Sequence, residues 1–198
     1  MFGSMRAPET MTAAEQVRLL RATAAHDDPR DHVLYSMALG TGLRLRELLG
    51  LNVGDVSPDG HEVRRRVVLD PATTKGGRRG EVFLPARLIS KLRRFLAWKR
   101  RVGQSLEPDA PMFVSSQRRR LSPRAAQWRF AWWQRRVGFD RRYGFHAMRH
   151  SAVTAVYRAT GNLFLAQRFA RHASPLTTIV YTHPSDEELY AGIRDLPC

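Results

Sequence analysis

Only two segments of this chain have the composition of β-strands, and they lie close together in the sequence. Residues 63–70 (VRRRVVLD) and 81–85 (EVFLP) are rich in valine and phenylalanine, which favour strands. The stretch between them, PATTKGGRRG, is polar and glycine-rich, which is typical of a turn. The sequence therefore predicts one small antiparallel sheet, formed by a single hairpin.

The other segments have apolar residues at helical spacing, so the predicted fold class is mainly α with a small antiparallel β-sheet (α+β). Thr12, with Glu15 three residues later, matches a capping box and predicts the start of the first helix. Residues 30–51 are expected to form two helices separated at the GTG sequence of 40–42. Further helices are predicted at 86–102, 124–136, 145–160, 163–171, 175–183 and 185–196.

The length of 198 residues is enough for one domain with a substantial core. We expect a flexible N-terminus or an expression scar over 1–11, and a single domain over 12–198. Trp128, Trp132 and Trp133 recur at a spacing that is usual for the buried face of a helix, so we expect all three in the core.

The strongest feature of the composition is its positive charge. Lys and Arg number 33 against 18 Asp and Glu, a net charge of +15. Such a surplus favours a polyanionic partner, above all nucleic acid, over a basic protein without a particular partner. No apolar run approaches the roughly 20 residues of a membrane span, so we expect no membrane association. The single cysteine, Cys198, allows no internal disulfide and suits the cytoplasm.

The sequence HAMRH places three potentially cationic side chains at the start of an apolar helix. His146, Arg149 and His150 are spaced at i, i+3 and i+4, so they share one helix face near the N-terminus, where backbone N–H groups favour an anion. A zinc site is the competing interpretation. It is disfavoured because Ala147 stands where hydrolytic zinc motifs have Glu, and because a guanidinium lies between the histidines. We predict a phosphate site without a metal.

Three other places offer candidate site residues. Arg44 opens a helix, and Glu47 lies one turn later, where it can orient an arginine. Lys75 lies on the glycine-rich turn, and His172 precedes Tyr181 by nine residues. Taken singly, each has an ordinary explanation: a surface ion pair, a solvated loop lysine and a core tyrosine.

Taken together, these residues resemble the catalytic domain of the tyrosine recombinases, or phage integrase family. TGLRLREL resembles the first arginine box of that family, and TTKGGRRGEVFLP its hairpin lysine segment. HAMRH resembles the His-x-x-Arg-His box, with Met148 where leucine is usual, and RHASPLTTIVYTH resembles the segment that ends with the nucleophile. The resemblance extends from about Thr12 to Leu196.

The resemblance implies a site-specific recombinase that cleaves and rejoins DNA through a 3′-phosphotyrosyl intermediate. It implies that Tyr181 is the nucleophile and that Lys75 protonates the leaving 5′-oxygen. The remaining implied roles are phosphate clamps at Arg44 and Arg149, a hydrogen-bond donor at His172, a proton acceptor or relay at His146, and orienting residues at Glu47 and His150. No cofactor is implied; the partners would be double-stranded DNA recombination sites, bound as a homotetramer in the cytoplasm at the nucleoid.

The sequence departs from the family pattern in two ways. Where the family commonly has glycine, this chain has Arg171, which suggests either that the backbone stays helical there or that Arg171 itself contacts a phosphate. Arg78 and Arg79 on the turn are further DNA-binding candidates. Only a short segment precedes the Arg44 helices, so no N-terminal DNA-clamp domain is expected: the chain is either a short recombinase or a piece of a longer one.

Two other function classes remain open from the sequence. A type IB topoisomerase would use nearly the same chemistry but relax supercoils without a partner site. A DNA-binding module without catalytic activity would need only the basic surface, and it leaves the six ordered site residues unexplained.

Overall fold

A computed structural model of the chain describes residues 9–74, 77, 79–180 and 194. Within these ranges the fold is mainly α with one small antiparallel sheet, as predicted. The helices are α1 Ala13–Ala24, α2 Arg30–Thr41, α3 Leu45–Gly50, α4 Val53–Val56, α5 Ala86–Arg101, α6 Pro123–Arg136, α7 His146–Thr160, α8 Leu163–Ala170 and α9 Leu176–Ile179, and the strands are β1 Arg66–Leu69 and β2 Gly80–Phe83. Apart from residue 194, the helix predicted at 185–196 lies outside the described residues.

The capping box predicted at Thr12 is confirmed. The side chain of Thr12 accepts a hydrogen bond from the backbone N–H of Glu15, and the Glu15 carboxylate accepts one from the backbone N–H of Thr12. The break predicted at 40–42 is the C-terminal end of α2, where Gly42 is left-handed with φ 62°. Helix α4 was not predicted, because four residues are too few to show helical periodicity.

The hairpin is confirmed, but both strands are shorter than the predicted 63–70 and 81–85. The backbone N–H of Arg64 bonds to a carbonyl of α4 instead of the partner strand, so β1 begins later. It ends where the side chain of Asp70 caps a short 3₁₀ turn. The second strand cannot continue through Pro85, which has no N–H to donate.

Helix α2 lies at the centre of the core, and α1, α5 and α7 pack around it. Its Tyr35 is fully buried, and so is Trp133 of α6, whose Nε1 donates to Asp31 at 2.8 Å. The prediction that Trp128 lies in the core is wrong, since 59% of this residue is exposed. Five residues separate Trp128 from Trp133, which places the two side chains about 140° apart around the helix. Trp132, between these extremes, is half-buried.

A second, smaller apolar cluster attaches the C-terminal described helices to α7. Val153 of α7 packs with Ala166 and Ala170 of α8, and Val180 after α9 packs against them. This cluster positions the segment that contains His172. Within the described ranges, none of the helices combines the length and apolar character that crossing a lipid bilayer requires.

Candidate active site

An open cleft of about 1150 Å³ lies between the hairpin, the start of α3, and helices α7 and α8. Loops and helix ends from distant parts of the chain meet there. The predicted site residues in its lining are Arg44, Glu47, Arg79, Arg171 and His172. The cleft therefore joins the first arginine box, the hairpin and the segment before Tyr181.

Arg44 is held by Glu47, as the sequence predicted. The backbone N–H of Arg44 donates to Oε2 of Glu47 at 2.7 Å, and its Nη1 donates to Oε1 at 3.0 Å. The carboxylate is 1% exposed. Because a buried carboxylate needs strong hydrogen-bond donors, Glu47 fixes both the helix start and the guanidinium of Arg44.

Arg149 lies in the first turn of α7 and is 2% exposed. Its Nη1 donates to the carbonyl of Gly42 at 2.5 Å, and its Nη2 donates to the carbonyl of Ala170. These carbonyls lie at the C-terminal ends of α2 and α8, where carbonyls have no partner within their own helix. Both acceptors are neutral, so these bonds fix the direction of the guanidinium without cancelling its charge.

His146 and His150 lie on one face of α7, as their spacing predicted. Their ring centroids are 4.6 Å apart and the rings are nearly perpendicular. Desolvation, followed by the charges of Arg149 and Arg44, lowers the pKa of His146. Desolvation also lowers the pKa of His150 to about 4, with smaller contributions from His146 and Arg149. The His150 ring is therefore neutral near pH 7.

His172 follows α8 and is held from α9. Its Nδ1 lies 2.9 Å from the hydroxyl of the buried Thr178. Desolvation, and then the charges of Arg149 and Arg44, lower the pKa of His172 to about 4. The two arginines act on this ring although they lie far from it in sequence, so the three boxes converge on one place.

The backbone at Arg171 does not continue helix α8, so the first of the two alternatives suggested by the sequence is wrong. Arg171 has φ 54° and ψ 42°, the left-handed conformation that ends α8. In this conformation its N–H bonds to the carbonyl of Arg168, and the N–H of His172 bonds to that of Gln167. The Arg171 side chain reaches Glu47, with Nη2 2.6 Å from Oε2.

Three predicted site residues, Lys75, Arg78 and Tyr181, lie outside the described part of the chain. The positioning contacts missed from the sequence include the carbonyls of Gly42 and Ala170, and the hydroxyl of Thr178. A backbone carbonyl leaves no signature in a sequence, and Gly42 was interpreted only as a helix break. Within the described ranges no group of three or more His, Cys, Asp or Glu residues could hold a metal ion.

Replacing Gly42 with alanine should destabilise the fold and slow any reaction at this site. The left-handed conformation costs about 1–2 kcal/mol for a residue with a Cβ. The added Cβ would also lie 2.8 Å from the ring of Phe169, so the carbonyl that holds Arg149 must move. Urea unfolding of Gly42→Ala measures the loss of stability.

Gly161→Ala is the matched control. Gly161 ends α7 with the same φ of 62°, but an added Cβ there would meet nothing within 4 Å. The Gly161→Ala variant should therefore lose only the free energy that a residue with a Cβ costs in the left-handed conformation. Equal losses in the two variants would contradict a specific role for the contacts around Gly42.

Comparison with known proteins shows the family and the fold over most of the chain. The model of the phage integrase family matches residues 9–188. Tyrosine recombinase XerC of Actinobacillus pleuropneumoniae serotype 7 (strain AP76) is 31% identical over 182 residues, covering 91% of this chain and 56% of that protein. This chain therefore spans only about half the length of that relative.

Solved structures share the fold. The XerA recombinase is 25% identical with a TM-score of 0.77, over 96% of this chain and 66% of that one. The XerH site-specific recombinase, in a post-cleavage complex with palindromic difH substrate, is 22% identical with a TM-score of 0.75, over 96% of this chain and 54% of that one. At 22% identity, the likeness to XerH concerns the fold alone.

Proposed function

This chain belongs to the phage integrase family, and we propose that it is the catalytic domain of a site-specific DNA recombinase. One observation supports this above the others: Arg44 and His172 line one cleft, and Arg149, buried behind it and bonded to Ala170, acts with Arg44 on the charge state of His172. Its relatives include tyrosine recombinases, and XerH has been solved with a DNA substrate. The net charge of +15 suits the same polyanionic partner.

Arg44 and Arg149 are proposed to bind the nonbridging oxygens of the scissile phosphate. Both guanidiniums are oriented before DNA arrives, one by a carboxylate and one by two carbonyls. Such pre-oriented donors stabilise the charge that is redistributed in the transition state without a cost of reorganisation.

The histidines are proposed to work as neutral rings. His172 would donate from Nε2 to a phosphate oxygen if the hydroxyl of Thr178 donates to its Nδ1. The lowered pKa of His146 suits a group that accepts or relays the proton of the attacking tyrosine. His150, against the His146 ring, orients it.

The proposed reaction exchanges one phosphodiester for another. The phenolic oxygen of Tyr181 forms a bond to phosphorus, and the bond from phosphorus to the 5′-oxygen breaks. The tyrosine proton passes to His146 or through it, and the 5′-oxygen takes a proton from Lys75. Attack by another 5′-hydroxyl reverses these changes, so joining requires neither ATP nor a metal ion.

We further propose that residues 12–198 act as a single catalytic domain, on double-stranded recombination sites and in a homotetramer. Four active sites are needed to exchange four strands between two duplexes, which is the reason for the tetramer. Arg78 and Arg79 of the hairpin turn would contact the DNA backbone; Arg79 is exposed and lines the cleft. With such a substrate, we propose that the protein works in the cytoplasm, at the nucleoid.

The test is covalent capture on DNA. We expect the wild-type chain to form an adduct with a nicked suicide substrate taken from repeats that flank its gene, and to do so in excess EDTA. The physical reason is that arginines, and no bound cation, stabilise the phosphate charge. A denaturing gel measures the shifted band; a reaction that EDTA abolishes and a divalent ion alone restores would contradict it.

The same gel separates the other two function classes. A protein that only binds DNA gives a retarded complex on a native gel and no band on the denaturing gel. A topoisomerase relaxes plasmids that contain none of the flanking repeats.

A further inference from the structure

We propose that Arg171 is a positioning residue that acts on the phosphate through Glu47 and Arg44. The inference rests on the phosphate-binding role proposed above for Arg44. Its starting point is that one buried carboxylate is shared between two arginines: Oε1 of Glu47 accepts from Arg44 at 3.0 Å, and Oε2 accepts from Arg171 at 2.6 Å.

Charge balance gives the first step. Glu47 is 1% exposed, so its negative charge is compensated by the groups around it. With Arg171 present, that charge is divided between two guanidiniums. Part of the positive charge of Arg44 then stays uncompensated and can attract an anionic ligand. Without Arg171, Glu47 would be paired with Arg44 alone, which weakens the attraction of Arg44 for a phosphate.

Geometry gives the second step. Oε2 of Glu47 accepts from the backbone N–H of Arg44 and from Arg171, so the carboxylate plane is fixed by donors on two elements, α3 and the end of α8. If the donor from the end of α8 is lost, the carboxylate can rotate. The Arg44 guanidinium, bound to Oε1, then moves with it.

The position of the Arg171 stem gives the third step. A Cβ built on Gly80 would lie 3.3 Å from Cδ of Arg171, so the stem packs directly on the first residue of β2. This strand follows the turn that contains Lys75. Arg171 therefore lies between the hairpin and the Arg44–Glu47 pair, and it contacts both.

Arg171 retains this contact in a backbone conformation that is unfavourable for arginine. Left-handed φ disfavours any residue with a Cβ, and glycine would relieve it. The ion pair with Glu47 therefore has to offset the cost of this conformation. The competing role is direct contact with a phosphate, because Nη1 of Arg171 is buried and has no hydrogen-bond partner among the described residues.

The experiment compares Arg171→Gly and Arg171→Lys with the wild-type chain in single-turnover cleavage of the suicide substrate. For Arg171→Gly we expect a thermal midpoint close to that of wild type, because relief of the left-handed backbone offsets the lost ion pair. We also expect a Kd for DNA within about twofold of wild type, and cleavage slower by about 10-fold, since the guanidinium of Arg44 is displaced. Arg171→Lys, which keeps a cation near Glu47, should recover part of the rate.

Coupling to Glu47 is the decisive measurement. If Arg171 acts through the carboxylate, adding Arg171→Gly to Glu47→Gln should change the rate by less than about twofold. Arg168→Ala is the control for charge, since Arg168 lines the same cleft but, among the described residues, has no hydrogen bond or ion pair to Glu47. The losses of cleavage rate in Arg168→Ala and Glu47→Gln should therefore multiply in the double variant, as expected for two independent residues.

Three results would overturn the inference. The first is direct contact between Arg171 and the phosphate. It would be shown if the rate losses of Arg171→Gly and Glu47→Gln multiply fully in the double variant, if DNA binding by Arg171→Gly is weaker, and if the salt dependence of that binding falls by about one phosphate contact. Wild-type cleavage by Arg171→Gly would show no role. Loss of cleavage only in proportion to a lowered thermal midpoint would show a purely structural role. If the wild-type chain itself forms no adduct, the proposed function fails and this inference fails with it.

Discussion

Replacing Tyr181 with phenylalanine should leave DNA binding near the wild-type level and remove the covalent adduct completely. The change deletes one oxygen, which is the atom proposed to bond to phosphorus, and it leaves the cationic cleft intact. Tyr181 directly follows the described segment in which His172 is bonded to Thr178 of α9. The loss should therefore be one of chemistry and not of affinity.

The other tyrosines make this prediction specific. Tyr35 is fully buried, and desolvation raises its pKa, so it is a poor nucleophile. The hydroxyl of Tyr143 is buried and donates to the carboxylate of Glu15. Tyr157 packs against the second apolar cluster, and Tyr190 lies outside the described residues.

Tyr157→Phe and Tyr190→Phe are therefore the matched controls, and both should still form the adduct. A native gel measures binding and a denaturing gel measures the covalent band for all three variants. A band that persists in Tyr181→Phe and disappears in Tyr190→Phe would reassign the nucleophile.

The parts of the site that the sequence predicted are those set by short-range spacing. His146, Arg149 and His150 share a face because residues three and four apart do so on any helix. Glu47 bonds Arg44 across the same spacing. These relations do not depend on the rest of the fold, so they could be inferred before it was known.

The parts that could not be predicted depend on long-range packing or on backbone atoms. The carbonyl of Gly42 holds Arg149 across 107 residues, and Arg171 meets Glu47 across 124. Nothing in a local window encodes such pairs. The left-handed backbone at Arg171 was missed for a related reason. Arginine is rare in that conformation, and the cost is compensated here by its long-range ion pair with Glu47.

Replacing Lys75 with alanine should slow cleavage by about 10²–10⁴-fold, the usual loss when a general acid is removed. Lys75 itself lies outside the described residues, but described residues near it in sequence reach the site. Thr74 and Arg79 both line the cleft that contains Arg44. Gly77, between them in sequence, has the left-handed conformation that glycine tolerates, and an added Cβ there would meet nothing within 4 Å.

A loss of rate alone does not identify an acid, because removal of any phosphate contact also slows the reaction. A substrate with sulfur in place of the bridging 5′-oxygen separates the two causes. A thiolate leaves without protonation, since the pKa of a thiol lies far below that of an alcohol. The sulfur substrate should therefore restore cleavage by Lys75→Ala to nearly the wild-type rate.

Arg44→Ala and Arg149→Ala provide the contrast, because they lose charge stabilisation at the nonbridging oxygens, which sulfur at the bridging position does not replace. Neither should be rescued. A solvated loop lysine with no role would instead give almost no effect on the ordinary substrate. If Lys75→Ala is slow and sulfur fails to rescue it, the acid is another residue, and Arg78, Arg79 and His172 are the next to be tested with the same pair of substrates.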